Sequence, residues 1–135
     1  MVQLIIKTAA VYGVGDLHGR FDTLINFLKN KDITDCAFVV NGDIGLGFDS
    51  ITADNLHLND LEKIAEERNM YFVLFRGNHD NPDRFINSEK YYVGLKRVFV
   101  IQDYTVVTFE NGEGEKMNLL AIGGAISVDR VERIS

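Results

Sequence analysis

Four short, largely apolar runs, each leading into glycine and then polar residues, set narrow limits on what this chain can fold into. They are Thr8–Val14 before Gly15-Asp16-Leu17-His18-Gly19, and Cys36–Val40 before Asn41-Gly42-Asp43. The others are Tyr71–Phe75 before Arg76-Gly77-Asn78-His79-Asp80, and Asn118–Ile122 before Gly123-Gly124. Continuous apolar runs of this length read as strands buried on both faces. Between the first and second lies Arg20–Lys31, with Phe21, Leu24, Ile25, Phe27 and Leu28 at helical spacing. Asn55–Asn69, between the second and third, carries a similar stripe of Leu58, Leu61, Ile64 and Ala65. Three strands alternate with two helices, which predicts a parallel sheet with right-handed crossovers. After Asp80 the pattern turns β-rich at Val98–Ile101, Tyr104–Glu110 and Lys116–Ile122, and Asn111-Gly112-Glu113-Gly114 predicts a hairpin turn. The expected fold is an α/β core that continues into an antiparallel or mixed segment.

The chain of 135 residues has no internal repeat or linker, so residues 1–135 are expected to form a single domain. Its lone cysteine, Cys36, opens an apolar run and is expected to be a buried small hydrophobe. No internal disulfide can form, which fits a reducing, cytoplasmic setting. Fourteen basic against twenty acidic residues give a formal charge of −6, so sequence-blind nucleic-acid binding is not favoured. Met1–Ala10 is too short and too interrupted by Lys7 to be a leader. No apolar stretch approaches the roughly 20 residues that span a bilayer.

In a parallel sheet, ligands bind beyond the carboxyl ends of the strands. Asp16, His18, Asp43, Asn78, His79 and Asp80 would project there together, beside glycines that let backbone approach a ligand closely. Asp and Asn next to Gly are also common turn and helix-cap residues, so any one motif alone reads more readily as a turn. Three successive strand ends of this kind are hard to reconcile with turns alone. Asp16 and Asp43 at one edge would repel unless a cation or a proton intervenes. Carboxylate, imidazole and amide oxygen without thiolate suit Mn²⁺, Fe, Zn²⁺ or Mg²⁺.

Gly15–Gly19, Gly42-Asp43 and Gly77–Asp80 resemble, in order and spacing, the first three signature motifs of the calcineurin-like metallophosphoesterases. Gly15–Arg20 and Arg76–Asp80 also look like the phosphoprotein phosphatase branch. The second motif departs from it, with Ile44-Gly45-Leu46-Gly47 in place of Val-Asp-Arg-Gly. Gly123–Arg130 is similar to a segment of bacterial and phage-type members. The resemblance implies a β-sandwich flanked by helices and a centre of two divalent metals, Mn²⁺ ahead of Fe, Zn²⁺ or Mg²⁺. By the same match, Asp16 and His18 bind the first metal, Asp43 bridges both and Asn78 binds the second. The resemblance further implies that a hydroxide bridging the metals attacks phosphorus, that His79 protonates the leaving oxygen as general acid, and that Asp80 orients its ring. Arg76 is placed either to contact phosphate or to brace the third motif. The implied partner is a phosphorylated substrate: a phosphoprotein, a nucleotide or another phosphoester. The oligomeric state is left open.

Family members carry further histidines after these motifs, whereas here none follows His79, and His57 falls in the second helical pattern as a solvated residue. The chain is therefore expected to be the N-terminal part of a longer phosphoesterase, incomplete at the C-terminus. The competing reading is a truncated metal-binding or partner-binding domain with little turnover of its own. A nucleotide-binding domain is disfavoured, because no Gly-x-x-x-x-Gly-Lys loop or dinucleotide fingerprint is present.

Overall fold

The computed structural model describes residues 2–15, 17–47, 50–77, 80–122 and 125–131. Along the chain run β1 (Val2–Lys7), β2 (Ala10–Gly15), α1 (Phe21–Lys29), β3 (Cys36–Asn41), α2 (Ile51–Arg68) and β4 (Met70–Phe75). Two short helices follow, α3 (Pro82–Ile86) and α4 (Ser88–Tyr91), and then β5 (Val98–Ile101), β6 (Thr105–Glu110), β7 (Lys116–Ile122) and β8 (Ala125–Val131). They form a mixed α/β fold with two four-stranded sheets, ordered β2-β3-β4-β5 and β1-β6-β7-β8.

The first sheet is parallel throughout. Its central strands are buried on both faces, which is why their sequence runs apolar without alternation. One face carries Phe38, Val40, Phe72 and Leu74, packed against Phe21, Leu24 and Leu28 of α1 and Leu58 and Leu61 of α2. The other face, with Ala37, Val39, Val73 and Phe75, packs on Ile6, Val107, Phe109 and Leu119 of the second sheet. Cys36 is 1% exposed, as its place in the run predicted. Burial, with Asp35 beside it, pushes its thiol pKa up.

Three elements differ from the sequence expectation. The first strand begins at Ala10 rather than Thr8, and a separate strand precedes it: β1 pairs in parallel with β6, Val2 level with Thr105. The second helix starts four residues earlier than Asn55, because the Ser50 side chain accepts the Ala53 N–H at 3.1 Å and caps it there. β5 does not belong to an antiparallel segment; it extends the parallel sheet, with Phe75 level with Ile101. The Asn111–Gly114 hairpin joins β6 and β7 as expected. The chain's one proline, Pro82, stands in the first turn of α3, where its missing N–H costs nothing.

Glu62 of α2 holds the entry to β5. Its buried carboxylate accepts the N–H groups of Lys96, Arg97 and Val98 at 2.8, 2.7 and 3.1 Å on one oxygen. This bond set fixes where β5 starts, and so the level at which it ends.

Candidate active site

The parallel register brings the loops after β2, β3 and β4 to one edge: Gly15 is level with Asn41, and Val40 with Leu74. Backbone hydrogen bonds then tie the loops to one another. The His18 N–H donates to the Asp43 carbonyl and the Gly19 N–H to the Ile44 carbonyl, each at 2.7 Å. Two glycines permit this closeness. A Cβ on Gly45, whose φ is +101°, would lie 2.5 Å from the Gly19 nitrogen, and one on Gly77 would lie 2.3 Å from the Gly42 carbonyl carbon. Neither contact is sterically possible, so both positions require glycine.

Asp80 locks the arrangement. It is 2% exposed, and its carboxylate accepts three backbone N–H groups: Ile44 and Gly77 on Oδ2, both at 2.9 Å, and Gly45 on Oδ1 at 2.7 Å. Charge-assisted bonds of this kind are about twice as strong as neutral ones. The third motif thus holds the second through a carboxylate whose donors are all main-chain.

The sequence-predicted ligands divide into two groups. His18 and Asp43 are brought together by the bond between their backbones; His18 is exposed, with a left-handed φ of +50°, and Asp43 is half-buried. Histidine tolerates that conformation better than most side chains do. Asp16, Asn78 and His79, together with Gly123 and Gly124, lie outside the described residues, and so does the implied contact between Asp80 and the His79 ring. Among the described residues, no three His, Cys, Asp or Glu side chains group as a metal cage. The donors that the motifs supply here (imidazole nitrogen and carboxylate and amide oxygen) fit a divalent cation of hard or borderline character.

Arg76 donates from Nη2 to Asp103 Oδ2 at 2.9 Å, and both side chains are partly buried. Of its two sequence readings, the structure favours bracing: the guanidinium ties the third motif to the loop after β5. Asp103 had no sequence signal, since nothing local marks it as the partner of a residue 27 positions earlier. The same holds for Asp54, which is 2% exposed on α2. Its Oδ2 accepts the Gly47 N–H at 3.1 Å and the Tyr92 hydroxyl at 2.9 Å, with Arg84 at 3.8 Å. This cluster anchors the far side of the second loop. Burial, then the hydrogen bond to Asp54, raises the Tyr92 pKa.

His57 departs from expectation. It is half-buried, and its ring stacks on Phe21 with centroids 5.1 Å apart. The cause is the packing of α2 against α1, which gives this helix residue an aromatic neighbour instead of open solvent.

The model of one protein family, described as calcineurin-like phosphoesterase, matches residues 9–134. No curated protein and no solved structure matches the chain. The matched family comprises hydrolases of phosphate esters that bind divalent metals, and its fold agrees with the two sheets and flanking helices described above. Among the described residues, no helix is long and apolar enough to cross a membrane.

Proposed function

Because the chain belongs to the calcineurin-like phosphoesterase family, we propose that it hydrolyses a phosphate ester at the carboxyl ends of β2, β3 and β4. The observation that carries this reading is the stitching of the three loops, above all the bond from His18 N–H to the Asp43 carbonyl and the three-donor lock on Asp80. Such rigidity is what a preorganised site for a charged transition state needs.

In this reading Asp16, His18 and Asp43 hold one divalent ion, and Asp43 and Asn78 hold a second, with Mn²⁺ the first choice. When bound, the ions supply an acidified water at neutral pH and Lewis-acid charge beside the phosphoryl oxygens. His79 gives a proton to the leaving oxygen, a contribution of roughly two to four orders of magnitude in rate. Asp80 acts as a positioning residue: it fixes the backbone just after Asp43 and ties it to Gly77 of the third loop. Arg76 braces the third loop through Asp103 instead of clamping phosphate. The buried lone thiol of Cys36 fits a reducing, cytoplasmic setting, and the formal charge of −6 favours a small or protein-borne phosphoester over nucleic acid.

Hydrolysis of 4-nitrophenyl phosphate by the purified chain tests this. Activity should vanish on chelation and dialysis and return with Mn²⁺. Hydrolysis that persists in the metal-free protein would contradict it.

One observation favours a second reading, a metal-binding domain with little turnover. His57 is stacked on Phe21, and no histidine follows His79, so the motifs supply only His18 and His79 as imidazoles. Calorimetry with Mn²⁺ separates the two: one occupied site with no measurable turnover supports the second reading, and two sites with turnover support the first.

A further inference from the structure

The loop after β5 belongs to the same edge as the three motif loops. Ile101 is level with Phe75, so Gln102–Tyr104 leaves the sheet beside Arg76-Gly77, and the 2.9 Å bond between Arg76 and Asp103 clamps the two loops together. Tyr104, the next residue, combines three properties. Its φ is +64°, in the left-handed region that a bulky side chain rarely adopts. Its side chain is left in solvent, with the residue 63% exposed. Its backbone N–H is fixed at 2.7 Å on the Ala121 carbonyl, so the loop is held from both sides.

A turn of this shape is best served by Gly or Asn. A tyrosine here is strained and buries little, so the ring contributes little to folding that a smaller residue would not. Strain of this kind concentrates at ligand sites, where the surroundings hold the residue in place. Asp103 is neutralised by Arg76, so this loop does not set a bare carboxylate against an anionic ester.

We propose that Tyr104 is a specificity-determining residue, offering its ring to the leaving group of a phosphate ester whose alcohol carries an aromatic ring, either a phenol or a nucleoside. The inference rests on the reading of the strand ends as a phosphoesterase site. Ring-on-ring contact, offset or edge-to-face, is the chemistry that would recognise such a group.

The test compares the whole chain with Tyr104→Phe and Tyr104→Gly, loaded with Mn²⁺, on phenyl phosphate, a nucleoside 5′-monophosphate and glycerol phosphate. Tyr104→Gly should melt no lower than the parent, because the left-handed backbone is relieved. It should lose roughly 3–10-fold in kcat/KM on the aromatic esters, mainly through KM. Glycerol phosphate should change by less than about twofold, and Tyr104→Phe should keep the parent's preference. Loss on phenyl phosphate alone assigns a phenolic ester, loss on the nucleotide alone a nucleoside, and loss on both a general aromatic preference. Equal losses on all three esters, or none, overturn the inference while hydrolysis itself stands. If the parent turns over none of them, calorimetry with phenyl phosphate against inorganic phosphate decides. Tighter binding of the aryl ester that disappears in Tyr104→Gly supports the inference, and equal affinities overturn it. A parent that neither binds phosphate nor hydrolyses any ester removes the phosphoesterase reading and this inference with it.

Discussion

Replacing Asp80 by Asn changes one heavy atom, an oxygen for an NH₂ group, and tests how the strand-end loops are held. The carboxylate accepts N–H groups from Ile44, Gly45 and Gly77 within 2.7–2.9 Å, and the side chain is almost fully buried. With the amide oxygen in the Oδ2 position, the bonds from Ile44 and Gly77 persist as neutral bonds. The Gly45 N–H then faces an NH₂ group and is left without an acceptor. A hydrogen bond to a charged group contributes about 1.5–3 kcal/mol net. One lost bond and two weakened ones come to about 2–4 kcal/mol, a large part of a domain's usual 5–15 kcal/mol. For a chain of this size the melting temperature should fall by roughly 8–16 °C, at about 4 °C per kcal/mol. Thermal melting and urea unfolding of Asp80→Asn against the parent provide the assay. If Asp80 served only to orient a neighbouring imidazole, the substitution would leave folding intact. A melting temperature within about 2 °C of the parent's would refute the three-donor lock as a determinant of stability.

Gly77→Ala should cost more than an ordinary loop substitution, at least about 3 kcal/mol by urea unfolding, since its Cβ would meet the Gly42 carbonyl carbon at 2.3 Å; a soluble variant of parental stability would contradict the close crossing. The raised pKa of the Cys36 thiol makes stability depend on alkaline pH: the contribution is complete below the ordinary thiol value of 9.0 and is lost as pH rises through the folded value. The parent should therefore lose stability faster than Cys36→Ala as the pH rises above 9.0 in thermal melts; parallel curves would exclude it. A double-mutant cycle on Arg76→Ala and Asp103→Ala should give a coupling of about 1 kcal/mol for this partly buried pair, and a coupling of zero would dissociate the loop after β5 from the third motif.

What could be read from the sequence follows from where each signal resides. β3 and β4 announce themselves because burial on both faces demands an unbroken apolar run, whereas β2, read the same way, is an edge strand left half-exposed, with Tyr12 49% exposed; α1 and α2 show the spacing of a helix with one packed face. β1 has no such mark: it is six residues long, and its partner β6 lies about a hundred positions away. β5 was visible as a strand, but the direction of its pairing was not, because that depends on α3 and α4 and on Glu62 seizing the Lys96–Val98 backbone. At the site, His18 and Asp43 stood out by residue type and strand-end position. The lock on Asp80 did not, since its donors are backbone N–H groups that every residue but proline carries. Asp54, Asp103 and Tyr104 owe their places to contacts or backbone angles that no local pattern encodes.

The claim at the centre is that the carboxyl ends of the parallel strands form a metal-dependent phosphoesterase site built around Asp43. The most direct measurement sets Asp43→Asn beside the parent, following Mn²⁺ binding by calorimetry and 4-nitrophenyl phosphate hydrolysis in the same preparations. The account predicts that the variant folds, binds Mn²⁺ at least about tenfold more weakly and loses at least about a hundredfold in metal-dependent rate. Unchanged binding and unchanged turnover in a folded Asp43→Asn protein would contradict it.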